Sequence, residues 1–262
     1  SEMCIRDSSK GSKINKHIKF LYDRGSMYKV ENGSLLFHGC IPLNEDGTFK
    51  ELDIDGGKFK GKALMDKFDF IARDAYFNKD PYSLDVMWYL FNGCYSPLFG
   101  KSQFSYFENL FVDDKKLKEE IYNPYFKLSS QAEICDMILD EFKVSSKRRR
   151  IINGHVPVKT KKGDSPVKAK GKLYVIDGGI SKPYQDKTGI AGYTLVYNSH
   201  AVSLAEHTNY TSITDEVSSY RPNIREIEVL HPRMLLKDTD QGKQIRERIE
   251  VLEELLEKYD NL

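Results

Sequence analysis

The sequence predicts an α+β fold, layered, with sheets flanked by helices, and three observations carry that expectation. Short apolar or alternating runs recur beside turn pairs such as Asn32-Gly33 and Asn198-Ser199, the pattern of hairpin strands. Stretches with apolar residues three and four apart lie between them, the pattern of amphipathic helices. Two apolar runs, Leu35-Leu36-Phe37-His38-Gly39-Cys40-Ile41-Pro42 and Ile151-Ile152-Asn153-Gly154-His155-Val156-Pro157, each end in a histidine beside a glycine, with a proline following. A strand feeding a tight turn would place such an imidazole at its carboxyl end.

The elements follow in order. Lys13 to Asp23 has helical spacing at Ile14, Ile18 and Leu21, and Gly25 can stop it. Met27 to His38 reads as a hairpin turning at Glu31-Asn32-Gly33. Leu43 to Gly61, with Asp46-Gly47 and Asp55-Gly56, reads as loop-rich. Ala63 to Tyr76 is helical, with Leu64, Phe68, Ile71 and Ala75 on one face. Asp80-Pro81 opens a second helix through Trp88 toward Leu90, and Ser129 to Phe142 forms another, with the serines as cap candidates. Arg148 to Gly154 and Lys172 to Asp177 are strands. The Lys- and Gly-rich stretch Lys159 to Gly171 between them is read as an exposed loop. Gly192–Val196 and Ala201–Ala205 make a hairpin, Ile224–Leu230 a further strand. A helix from about Thr239 to Tyr259 closes the chain, with Ile245, Ile249, Leu252, Leu255 and Leu256 on one stripe. Such a stripe docks on a domain or on a partner subunit.

Composition bounds the function classes. The 262 residues can bury a sizeable core, and 16 Tyr with 14 Phe argue against disorder. A net charge of +1 leaves no general basic field for nucleic acid, and no apolar run reaches the roughly 18 residues of a membrane helix. Cys4, Cys40, Cys94 and Cys135 are scattered without CxxC spacing, which suits a reducing cytoplasm, the expected location. The first eight residues, Ser1 to Ser8, resemble a translated library adapter, so the chain proper is expected to begin at about Ser9.

Glycine beside His38 and His155 lets the backbone turn and a ligand approach. Two such segments suggest imidazoles converging on a metal. A lone histidine at a strand end is also commonly a satisfied polar residue at the core's edge, and from spacing alone both readings stand. His17 reads as surface, and His200, His207 and His231 as structural. Arg73 and Arg148-Arg149-Arg150 read as solvated or paired with carboxylates.

Taken together, LLFHGCIPLNEDG (residues 35–47), SPLFGK (96–101), NGHVPVK (153–159), VIDGGISKPYQ (175–185), TGIAGYTLVYNS (188–199) and KDTDQGKQI (237–245) resemble the bacterial class III fructose-1,6-bisphosphatases. The resemblance runs in unbroken order from Lys13 to Leu262 and covers the C-terminal portion of that family. It implies the core of the calcineurin-like metallophosphatases, a β-sandwich flanked by helices and here incomplete at its N-terminal side. Residues 9–236 would be the C-terminal part of that domain, and 237–262 a C-terminal amphipathic helix. The family's two-metal site draws on five sequence blocks, and the resemblance assigns His38 to the fourth and His155 to the fifth as metal ligands. The first three, of Asp-x-His, Gly-Asp-x-x-Asp-Arg-Gly and Gly-Asn-His-Glu type, are not found here. Asp53-Ile54-Asp55-Gly56-Gly57 and Asp177-Gly178-Gly179 stand in the wrong order to replace them.

The resemblance further implies a Mn2+ cofactor and hydrolysis of fructose 1,6-bisphosphate to fructose 6-phosphate and phosphate, a gluconeogenic step. With no carboxylate block and no histidine to protonate the leaving group, the sequence holds no catalytic residue of its own and is expected to have little activity alone. Lys101, Ser181, Lys182 and Tyr184 are candidates for contacts to substrate phosphates, as basic and hydroxyl groups beside glycine turns. The expected partner is the sugar bisphosphate, with no nucleic acid or membrane, and a homo-oligomer is compatible with the C-terminal stripe. Two alternatives remain: a phosphatase of the same chemistry acting on dinucleoside polyphosphates or phosphoproteins, and a non-catalytic phosphate-binding module.

Overall fold

A computed structural model describes residues 13–179, 188–190, 192–208 and 220–260, with backbone alone at Tyr106, Phe107 and Asp260. In chain order the elements are α1 (Lys13–Arg24), β1 (Tyr28–Glu31), β2 (Ser34–Phe37), β3 (Leu52–Ile54), β4 (Gly57–Phe59), α2 (Gly61–Phe77), α3 (Pro81–Asn92), α4 (Tyr106–Phe111), α5 (Tyr125–Leu128) and α6 (Ala132–Glu141). There follow β5 (Arg150–Asn153), β6 (Val167–Lys168), β7 (Leu173–Val175), β8 (Gly192–Tyr197), β9 (Ala201–His207), β10 (Asn223–Val229) and α7 (Asp240–Asp260). The α+β expectation holds.

Local chemistry explains most boundaries. Asn32 and Gly33 take φ 48° and 75°, the paired positive angles of a tight hairpin turn, and set Tyr28 opposite Phe37. Asp80 caps α3 by accepting from the Ser83 N–H at 2.9 Å, with Pro81 at the first helical position. α2 buries Leu64, Phe68, Ile71 and Ala75, the face its periodicity predicted.

The loop-rich stretch 43–61 also holds the β3–β4 hairpin, closed by Asp55 and Gly56 at φ 56° and 70°. Two readings need correction. The helix expected from Ser129 starts at Ala132. Its N-cap is Gln131, without a side-chain cap, and the chain before it makes the separate turn α5. The stretch 159–171 is only partly exposed, since β6 pairs with β7 and Ala169 is buried.

The sheets explain how the site is placed. A five-stranded sheet runs β1-β2-β5-β7-β6, in which β2, β5 and β7 are parallel neighbours. A three-stranded antiparallel sheet runs β10-β9-β8. One core serves both: Leu35, Ile151, Leu173 and Val175 of the first sheet join Tyr193 and Leu204 of the second, with Cys135, Ile138 and Leu139 of α6. Each such side chain, fully buried, contributes about 2 kcal/mol of transfer free energy. A second cluster joins Ile54 to Leu64, Phe68, Ile71 and Leu90 of α2 and α3. The C-terminal stripe was expected to be docked, yet Ile245, Ile249, Leu252, Leu255 and Leu256 are exposed among the described residues.

Candidate metal centre

The parallel register of β2 and β5 sets Leu35 opposite Ile151 and Leu36 opposite Ile152, so the strands end side by side. His38 and His155 follow those ends, and the Gly154 N–H donates to the His38 carbonyl at 2.9 Å. His38 Nε2 lies 3.0 Å from His155 Nδ1. The two histidines singled out in the sequence thus face each other across 117 residues.

The local backbone is built for this. A Cβ at Gly39 would come within 2.5 Å of the Pro97 carbonyl oxygen, so only glycine lets segment 96–100 pass so close. That carbonyl receives the Cys40 N–H at 3.0 Å. The buried Asn153 donates through Nδ2 to the Gly39 carbonyl at 3.0 Å and to the Tyr125 hydroxyl at 2.9 Å. His155 itself sits at φ 69°, in the left-handed region. Its ring is aimed by a second contact, Nε2 to the Phe99 carbonyl oxygen at 2.8 Å. A carbonyl can only accept, so Nε2 carries the proton and Nδ1 turns a lone pair toward His38.

His38 opens onto a cleft of about 490 Å³ lined in part by Met27, Leu36, Ile152, Gly154 and Ile176. Burial of its ring, with His155 beside it, holds its pKa below the ordinary histidine value, while the Asp177 carboxylate opposes that shift. A neutral imidazole is the ligating form. Asp177 follows β7, the next parallel strand, and accepts the Gly179 N–H at 2.9 Å. Three adjacent parallel strands therefore deliver His38, His155 and Asp177 at their carboxyl ends, where open sheets gather ligands.

Sequence reasoning dismissed Asp177 as a misplaced Gly-Asp motif. The signal that could have found it was its place at the end of the buried strand KLYVID. The Phe99 carbonyl had no side-chain signal at all.

These residues fit one edge of a metal site. The two ring nitrogens lie 3.0 Å apart in a hydrogen bond, and a cation held by both would have to displace the proton that His38 Nε2 donates to His155 Nδ1. Among the described residues no group of three or more His, Cys, Asp or Glu is disposed to hold a metal ion.

Other predicted residues fare differently. Lys101 lies two residues beyond Phe99, but its ammonium pairs with Glu120 at 2.6 Å over the Phe99, Phe104 and Tyr122 rings. Ser181, Lys182 and Tyr184 lie outside the described residues. Arg73 pairs with Asp69, Arg148 and Arg150 with Glu228, and Arg149 with Asp136 and Asp140. His207 bonds Thr194 and Tyr220, and His200 bonds Ser199, as structural histidines do.

An α+β protein with two imidazoles converging at the carboxyl edge of a parallel strand pair is the class that fold and geometry define. Comparison with known proteins narrows it. The model of the firmicute fructose-1,6-bisphosphatase family matches residues 4–261, and the chain belongs to that family. The fructose-1,6-bisphosphatase class 3 of Finegoldia magna is 47% identical over 262 residues, covering 98% of this chain and 40% of the relative. The proteins of the same name from Clostridium botulinum (strain Langeland) and Clostridium tetani are 48% and 47% identical over 255 residues, covering 94% of this chain and 38% of each relative. The chain spans about two fifths of the length of the curated relatives it matches. No solved structure matches it.

Proposed function

We propose that this chain supplies the two-histidine side of a two-metal centre in a fructose-1,6-bisphosphatase. The whole protein would hydrolyse fructose 1,6-bisphosphate to fructose 6-phosphate and phosphate as a step of gluconeogenesis, with manganese in the cytoplasm. The observation that carries this reading is the His38–His155 pair, 3.0 Å apart and held by the Phe99 carbonyl, in a chain of that family. Divalent cations held at such a centre would supply Lewis-acid charge stabilisation and activation of water.

The chain's own residues contribute position and protonation state. His155 offers Nδ1 because Nε2 is committed to Phe99, and burial with His155 beside it shifts His38 toward its neutral form. Asp177 adds negative charge beside them. Mixed imidazole and carboxylate donors are compatible with manganese. Two imidazoles alone would hold it weakly, so the chain by itself is expected to release little phosphate. Lys101 would have to leave Glu120 to reach a phosphate, and the Ser181–Tyr184 segment remains the other candidate for that contact.

The test joins this chain to the remaining three fifths of the Finegoldia magna relative and measures manganese-dependent phosphate release. Hydrolysis of fructose 1,6-bisphosphate that drops at least ~100-fold in His38→Ala and in His155→Ala supports the reading. A folded chimera that prefers a dinucleoside polyphosphate, or that keeps its activity without either histidine, overturns it.

A further inference from the structure

The sequence holds three Asn-Gly pairs, Asn32-Gly33, Asn92-Gly93 and Asn153-Gly154. Such pairs share a latent reaction, because glycine has no side chain to keep its nitrogen from the preceding side-chain amide. The nitrogen attacks Cγ of the asparagine and loses its proton, and the Cγ–Nδ2 bond breaks to release ammonia. Water then opens the cyclic imide at either carbonyl and leaves an aspartyl or an isoaspartyl residue. One amide and one water thus become one carboxylic acid and one ammonia. Attack requires the peptide unit between the two residues to rotate, so the hydrogen bonds on that unit decide which pair reacts.

The three pairs differ on this point. At Asn153-Gly154 both sides of the unit are engaged: the Asn153 carbonyl accepts the Ile176 N–H at 2.9 Å, and the Gly154 N–H donates to the His38 carbonyl. Asn153 is also buried. At Asn92-Gly93 the glycine N–H donates to the Tyr89 carbonyl at 2.6 Å, and Asn92 is the last residue of α3. At Asn32-Gly33, among the described residues, neither the Asn32 carbonyl nor the Gly33 N–H makes a hydrogen bond. Asn32 is exposed, and its turn follows β1, the edge strand. Its side chain is restrained by the Asp240 N–H, which donates to Asn32 Oδ1 at 2.9 Å.

We propose that Asn32 is a deamidation site of this protein, with water supplying the hydroxyl that replaces its amide. Its placement gives the reaction a consequence. The Asp240 carboxylate, at the start of α7, accepts the Asn32 N–H at 2.6 Å. A new carboxylate at position 32 faces it, a like-charge contact that loosens the first turn of α7. The Gly33 carbonyl accepts the Arg150 N–H at 3.0 Å, where β5 joins β2. The isoaspartyl form adds a methylene to the main chain of a two-residue turn and strains that tie to the strand leading to His155. Reaction at this turn is independent of the catalytic reading.

Ageing the folded 262-residue chain at mildly alkaline pH, followed by peptide mapping in a mass spectrometer, tests it. The expected result is a gain of about 1 Da, with an isoaspartyl fraction, in the peptide bearing Asn32. Its rate should exceed those at Asn92 and Asn153 by at least ~10-fold, and in denaturing urea the three rates should converge. Asn32→Asp should speed amide hydrogen exchange in the first turn of α7 by at least ~3-fold over the parent. A folded chain in which Asn92 or Asn153 reacts as fast as Asn32 overturns the proposal. So does a folded chain that gains no mass at Asn32 while the chain in urea does. Unchanged exchange in Asn32→Asp overturns the link to α7.

Discussion

At the scale of single residues, the site is set by backbone passages too tight for a side chain. Gly39 lies where a Cβ would press within 2.5 Å of the Pro97 carbonyl oxygen, a backbone atom that cannot swing aside. Gly39→Ala should cost about 2–3 kcal/mol, read as a lower midpoint in urea unfolding. An unchanged midpoint would mean that segment 96–100 yields freely. Gly154 differs, for an added Cβ there meets neighbours only beyond 3.6 Å. The sequence argument treated both glycines alike, and only the contact with another segment separates them. The histidines were legible because each ends an apolar run, a local property. Asp177 and the Phe99 carbonyl were not, because strand order and a crossing loop bring them to the site.

At the scale of elements, the site depends on how β2, β5 and β7 are seated. Leu35, Ile151 and Leu173 lie in register across the three parallel strands and are all buried, with Ile151 fully so. Ile151→Ala removes that packing from the central of the three strands, the one that leads to His155, and a loss of about 3 kcal/mol is expected in chemical denaturation. A loss below about 1 kcal/mol would show that the sheet repacks around the gap. Most elements were readable from period and turn chemistry. The β3–β4 hairpin was not, because its strands are three residues each, too short for alternation to register, although its Asp55-Gly56 turn was noticed. The six-residue α4 escaped for the same reason. Sheet order is a property of no single segment, and nothing in the sequence announced it.

At the scale of the whole molecule, α6 is tied to the five-stranded sheet by charge as well as packing. Asp136 of α6 takes Lys172 at 2.7 Å, just before β7, and Arg149 at 3.0 Å, just before β5. The hydrogen bond from Lys172, with that from Arg149, lowers the Asp136 pKa in the folded protein. A carboxyl depressed on folding stabilises above its unfolded value of about 3.9, and that stability is lost as pH falls through the folded value. The thermal midpoint should therefore decline more steeply on acidification from about pH 5 to 3 in the parent protein than in Asp136→Asn. Parallel declines would assign the acid sensitivity to other carboxylates.

The contact between the His155 ring and the Phe99 carbonyl also bears on when order is imposed at the centre. A side chain free to rotate would surrender its rotamers at the moment a cation arrives, and the binding constant would fall accordingly. Here one ring nitrogen is already engaged at 2.8 Å and the backbone is set in a left-handed turn, so that entropy is lost during folding. A cation would find this imidazole already oriented, and the conformational entropy still to be lost on binding would belong to its other ligands.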